Sequence, residues 1–220
     1  MLPEIAYQKF IVKINKNAQT DNISCDKGRF VLLYNENQNK IIEQILEDKS
    51  DDDLRYIEKL LVSNAELLSS DFKFNSQLFK LPTNFFDHST LFGYATCEVC
   101  EEPQKIDLFE IKADNENFIL SDEHNRPSFN WREAPYYFSE NKVKVFTDNF
   151  TFTKLLLTYY RYPTQISLQN SEDPESDFTD TQIELDDKIV DRIISLAASD
   201  FELNNNNQKF QADIVRAKQK

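Results

Sequence analysis

The chain has 220 residues, 40% of them hydrophobic, and a formal net charge of -13 from 25 Lys+Arg against 38 Asp+Glu. Two glycines stand where average usage of about 7% would place roughly fifteen, which excludes glycine-rich phosphate loops and the GxSxG elbow. The acidic balance argues against a protein that grips nucleic acid or anionic membranes, since both need clustered cations.

Helical spacing opens the chain. Pro3 suits a first helical position, and Tyr7, Phe10, Ile11 and Ile14 follow at i, i+3, i+4 and i+7. Residues 15–26 are polar and read as a loop. A long helix is predicted from Lys27 to about Glu47, with Phe30, Tyr34, Ile41 and Ile45 on one side. Ser50 then caps a predicted third helix with Asp51, Asp52 and Asp53 in its first turn and Leu54, Ile57, Leu61, Ala65 and Leu68 as its buried stripe.

From Asp71 the period changes to that of strands. Segments 91–97, 104–112, 116–121, 134–138, 142–147 and 150–160 each read as a short strand, and Ser139-Glu140-Asn141 as a hairpin turn. Turns in so glycine-poor a chain fall to Asn and Asp, which tolerate the left-handed region. Residues 171–187 hold eight acids and no base. Helical spacing returns at Val190, Ile193, Ile194 and Ala197, the tetrad Asn204–Asn207 breaks it, and Phe210, Ile214 and Ala217 mark a last helix. The fold class expected is α+β, with a helical core from residues 1–70 and 183–220, a β-rich insertion at 71–170 and an acidic loop at 171–182.

No catalytic constellation emerges, and no cofactor is expected. Cys97-Glu98-Val99-Cys100 has the spacing of one zinc knuckle, but structural zinc wants four soft ligands, and Cys25, His88 and His124 are the remaining candidates. Two reduced thiols beside a strand are the plainer reading of Cys97 and Cys100. An odd number of cysteines makes no disulfide framework, so a reducing cytoplasm is expected. The start of the chain lacks the basic and apolar regions of a signal peptide. Asp173, Glu175, Asp177, Thr179, Thr181 and Glu184 fall at EF-hand ligand spacing, yet Phe178 stands where the turn needs Gly and Pro174 lies inside, so an exposed acidic linker is the better reading. His88 and His124 read as structural residues, and Trp131 as a packed anchor. Tyr136, Tyr137, Tyr159, Tyr160 and Tyr162, without interleaved cations, read as core and interface packing rather than as base-stacking platforms.

The string Asp122-Glu123-His124-Asn125-Arg126-Pro127-Ser128-Phe129, the run Tyr159-Tyr160-Arg161-Tyr162-Pro163 and the segment from Leu185 to Ile194 resemble ring or neck proteins of crAss-like bacteriophages. The segment from Phe10 to Asn17 and the helix after Gly28 fit the same likeness, which spans most of the chain. The terminal helices more loosely resemble the small all-α head-to-tail connectors of tailed phages, which form rings below the portal, usually twelvefold. The likeness implies a non-enzymatic virion protein made in the host cytoplasm. It would self-associate into a ring, touch the portal and other neck or tail proteins, and let DNA pass without specific binding. Asp173, Glu175, Asp177 and Asp180 of the acidic loop, with Phe210 and Ile214, are the interface candidates on that view. The rival expectations are a cytoplasmic protein-binding adaptor and a zinc protein using Cys97 and Cys100.

Overall fold

The computed structural model describes residues 1–17, 23–73, 75–98, 102–168 and 181–218. The chain divides into two compact units, one from residues 1–60 with 163–220 and the other from residues 61–162.

The first unit is helical. α1 (Pro3–Asn17), α2 (Lys27–Asp48) and the start of α5 (Asp187–Lys218) form where their apolar spacing places them. Asp26 caps α2, its carboxylate accepting from the Arg29 N–H at 2.8 Å. The three helices bury Phe10, Ile14, Phe30, Tyr34, Ile193 and Phe201 among one another, and the Phe10 ring lies 5.1 Å from Phe30 and 5.8 Å from Phe201. The extended segment after residue 162 is stitched to α2 by two side chains, Gln38, which donates to the Thr164 carbonyl at 3.3 Å, and Asn35. Asn35 donates to the Ile166 carbonyl at 3.2 Å and accepts from the Ile166 N–H at 3.0 Å, as a neighbouring strand would.

The second unit is an eight-stranded sheet: β1 (Leu61–Leu67), β2 (Ser69–Lys73), β3 (Ser76–Lys80), β4 (Phe85–Cys97), β5 (Gln104–Glu110), β6 (Glu133–Ser139), β7 (Lys142–Phe146) and β8 (Phe150–Arg161). The order is β1-β8-β4-β5-β6-β7-β3-β2. β1 and β2 lie at opposite ends of that order, yet Leu68 alone separates them in the chain. The sheet must therefore curl until its two ends meet at Leu68, which makes a half-barrel. Alternate residues point inward, so Leu155, Leu157 and Tyr159 of β8, Val143 and Val145 of β7, and Leu91 and Ala95 of β4 share one core with Ile106, Phe79 and Phe152.

Among the described strands, only β5 and β6 pair in parallel. A parallel pair cannot be joined by a tight hairpin and needs a long crossover. Residues 111–132 are that crossover, and they carry α4 (Glu116–Ser121) and a structured loop.

These observations correct the expected fold class. The protein is mixed α/β, and the curled sheet has a core of its own rather than decorating a helical connector core. The reason is closure: a sheet that curls on itself covers its inner face without a helix packed on it. The predicted third helix also stops early. α3 spans only Asp51–Tyr56, Ser50 at its N-cap makes no side-chain hydrogen bond, and β1 begins at Leu61. Asn64 adopts a left-handed φ of 53°, with a register shift between Val62 and Ala65, and pairing with β8 outweighs the helical spacing of Leu61, Ala65 and Leu68.

Residues 116–121, expected as a strand, form α4, whose first residue Glu116 accepts from Lys144 Nζ at 2.9 Å. The Asn204–Asn207 tetrad does not break the last helix, which runs unbroken to Lys218. Asn costs a helix at most about 0.7 kcal/mol per residue relative to Ala, too little to force a stop. Left-handed turns fall to Asn64, Asn75 and Asn149 as expected, but also to Lys49, Arg132 and Glu140.

Candidate functional site

The crossover that the parallel pair requires builds one wall of an open cleft of about 820 Å³. Thr96, Cys97 and Glu98 line it from the end of β4, Asp148 and Asn149 from the β7–β8 connection, Phe150 and Thr151 from the start of β8, and Glu123 with Arg126–Trp131 from the loop.

Local chemistry makes the loop a defined object. Asp122 organises its first turn: its carboxylate accepts from the His124 N–H at 3.0 Å and from Asn125 Nδ2 at 2.6 Å, and its carbonyl accepts from the Arg126 N–H at 3.0 Å. Those bonds, led by the one from the His124 amide, hold the Asp122 carboxyl below the usual carboxylate range. At the other end, Ser128 and Glu133 exchange both backbone hydrogen bonds, at 2.9 and 3.1 Å. Phe129 pins the middle to the sheet, its ring 5.8 Å from Phe150, which in turn lies 5.6 Å from Phe152.

Trp131 is not the packed anchor that the sequence suggests. Phe129 has that role, and the indole stands 62% exposed at the cleft. The His124 ring lies 6.1 Å away and within 26° of parallel. Two features steer the indole outward. Ser128 Oγ accepts from the Trp131 N–H at 3.3 Å, and Arg132 follows at a left-handed φ of 60°, a conformation that a non-glycine residue adopts only when its surroundings impose it. Asn149, on the opposite side of the cleft, is also left-handed, at φ 53°.

The sequence candidates fall differently. Cys97 lines the cleft but is disulfide-bonded, so the reading of it as a reduced thiol is corrected, and a bridged sulfur is no thiolate ligand. Cys100 lies outside the described residues. Cys25 sits in the helical unit as a buried free thiol, pushed up to about 11 by burial and then by the Asp26 carboxylate. Among the described residues no three His, Cys, Asp or Glu side chains come together as metal ligands.

His88 packs on β4 with its ring 4.8 Å from Phe138, between Asp87 and Glu110 at 3.6 and 3.5 Å. Of the EF-hand-spaced residues, Thr181 shares a 2.9 Å hydrogen bond with Ser167 and Glu184 accepts from the Thr164 N–H at 2.6 Å, so both tie two stretches of chain together. Asp173, Glu175, Asp177, Thr179 and Asp180 lie outside the described residues, as do the side chains of Phe210 and Ile214 on α5.

The cleft was not read from the sequence, although its loop coincides with the string that carries the phage likeness. The one available signal was the chain's single Trp, set between Asn130 and Arg132 in a polar run. Among the described residues no helix is long and apolar enough to cross a membrane. No protein-family model matches the chain, and no curated protein matches it.

Proposed function

We propose that this chain is a non-enzymatic virion structural protein, a subunit of a homomeric ring in the portal–tail neck of a crAss-like phage, where it continues the DNA channel and bridges portal to tail. The observation that carries the reading is a patch of exposed apolar side chains on the outer side of α1. Its inner face buries Ala6, Phe10 and Ile14 completely. Its outer face still presents Ile5 at 44% and Val12 at 62% exposure, with Leu2 just ahead at 52%, beside an apolar groove of about 510 Å³ lined by Ile11, Val12 and Ile23.

Exposed apolar side chains gathered beside an apolar groove mark a surface that a partner covers. A second copy of this chain is the occupant that a ring supplies to every subunit, through a head-to-tail contact that closes on rotation. The net charge of -13 suits a channel wall, because it repels phosphates and leaves DNA free to slide. The sequence likeness described above supplies the location.

Electron cryo-microscopy of the phage particle tests this. The expected result is the chain in a closed ring between portal and tail, with α1 at the subunit boundary. Finding it in the capsid shell or the tail fibres, or finding no copy in the virion, rejects the reading.

A further inference from the structure

We propose that the cleft beside Trp131 binds a cationic side chain, an arginine or lysine carried on a short basic segment of a partner protein, with the indole as its platform. The proposal does not rest on the virion reading, because it concerns a site within the sheet unit and is tested on the isolated chain.

Three observations carry it. The first is the indole itself. A large aromatic side chain left exposed by a loop that is hydrogen-bonded at both ends and pinned by Phe129 is held outward by structure. Such a ring is presented without an ordering cost at the moment of binding. Its face is the best of the natural aromatic platforms for a cation.

The second is charge. The ionisable side chains that line the cleft, apart from the bridged Cys97, are Glu98, Glu123 and Asp148 against Arg126 alone. None of the four joins an ion pair within the described residues, whereas Lys142, Lys144 and Lys154 elsewhere on the same unit each pair with a carboxylate. Carboxylates that outnumber the cations lining a concave site focus a negative potential into it, which favours a cation over a neutral ligand.

The third is size and spacing. A cleft of about 820 Å³ holds a segment of several residues rather than an ion. The carboxylates do not gather as metal ligands among the described residues, so a bare divalent cation is the poorer fit. A guanidinium, which stacks flat on an aromatic face while its fork reaches a carboxylate, matches best.

The test uses the chain's single tryptophan, which makes intrinsic Trp emission a reporter of this cleft alone. The probe is tetra-arginine amide, with tetra-glutamate and the neutral saccharide maltotriose as comparisons. The expected result is a saturable change in emission with tetra-arginine only, weakened by added salt. Calorimetry then compares variants. Trp131→Ala leaves the net charge unchanged, so diffuse attraction to an acidic protein survives in it while platform binding falls about ten-fold. The double variant Glu123→Gln/Asp148→Asn weakens binding by a similar factor. An absent or non-saturable response to tetra-arginine overturns the proposal, as does an unchanged affinity in Trp131→Ala. A saturable response to maltotriose, with or without the peptide, overturns it in favour of a glycan site.

Discussion

Gln77 on β3 and Phe152 on β8 are not sheet neighbours, yet the Gln77 carboxamide makes both hydrogen bonds that a neighbouring strand would make to Phe152. Gln77 Oε1 accepts from the Phe152 N–H at 2.6 Å, and Nε2 donates to the Phe152 carbonyl at 3.1 Å. β1 pairs with β8 only from Leu155 to Tyr160, so among the described strands none pairs with the stretch of β8 before it on that side. A side chain that is 1% exposed fills the gap and fastens the seam of the curled sheet. Asn35 does the same for Ile166 in the helical unit.

Replacing Gln77 with Ala strands the Phe152 N–H and carbonyl in the core, and each unsatisfied group costs about 1–3 kcal/mol. The expected loss is therefore about 2–5 kcal/mol in urea unfolding followed by Trp131 emission, which reports the sheet unit. Gln77→Glu keeps an acceptor but loses the donor, and a buried carboxylate would face the Phe152 carbonyl. It should be at least as damaging at neutral pH and partly recover in acid, where the carboxyl protonates and can donate again.

Gly93 tests the tightness of the same core. A Cβ added there would stand 2.6 Å from both Leu155 Cδ2 and Phe152 Cδ1. Backbone freedom is not the issue, because neither glycine has a positive φ. Gly93→Ala should cost about 1–3 kcal/mol through overpacking. A simultaneous Leu155→Val, which makes room, should return part of that loss, and the double-mutant cycle reads the coupling.

Alkali should weaken the sheet through Tyr136. Burial, then the Glu110 charge, pushes the Tyr136 hydroxyl up to about 12 from an ordinary value near 10. A folded pKa raised above the unfolded one contributes stability that is complete below pH ~10 and is lost as pH rises toward 12. Tyr136→Phe, with nothing to ionise, should flatten that decline in Trp-monitored unfolding between those limits. An unchanged slope would remove Tyr136 as its cause.

Asp122 has the opposite sign. Its folded pKa is depressed by the His124 amide and then by Asn125, so its contribution is present above the unfolded value near 4 and is lost as pH falls through the folded one. Asp122→Ala at neutral pH should imitate acid: amide exchange of His124 accelerates and Trp131 emission shifts. The global unfolding midpoint should barely move, since the turn is exposed and opens locally.

Unequal legibility along the chain has a physical basis. The apolar stripe of α1 from Ala6 to Ile14, that of α2 from Phe30 to Ile45, and the alternation of Val143 and Val145 are local periodicities, and a local period survives whatever the rest of the chain does. The same is true of the net charge and of the missing phosphate loops, which need no coordinates. Leu61 shows where local reading ends: its spacing continues a helix, and only the strand Leu155–Tyr160, about a hundred residues later, turns it into β1. The cleft is further still from view. It gathers the end of β4, a crossover loop and the β7–β8 connection, and that gathering follows from the parallel pairing of β5 with β6. By itself the sequence determined the charge, the aromatic core content and the strongest local elements. The tertiary structure alone decided the curl of the sheet, the carboxamide that fastens it and the outward stance of Trp131, because each depends on contacts between residues that no local pattern brings together.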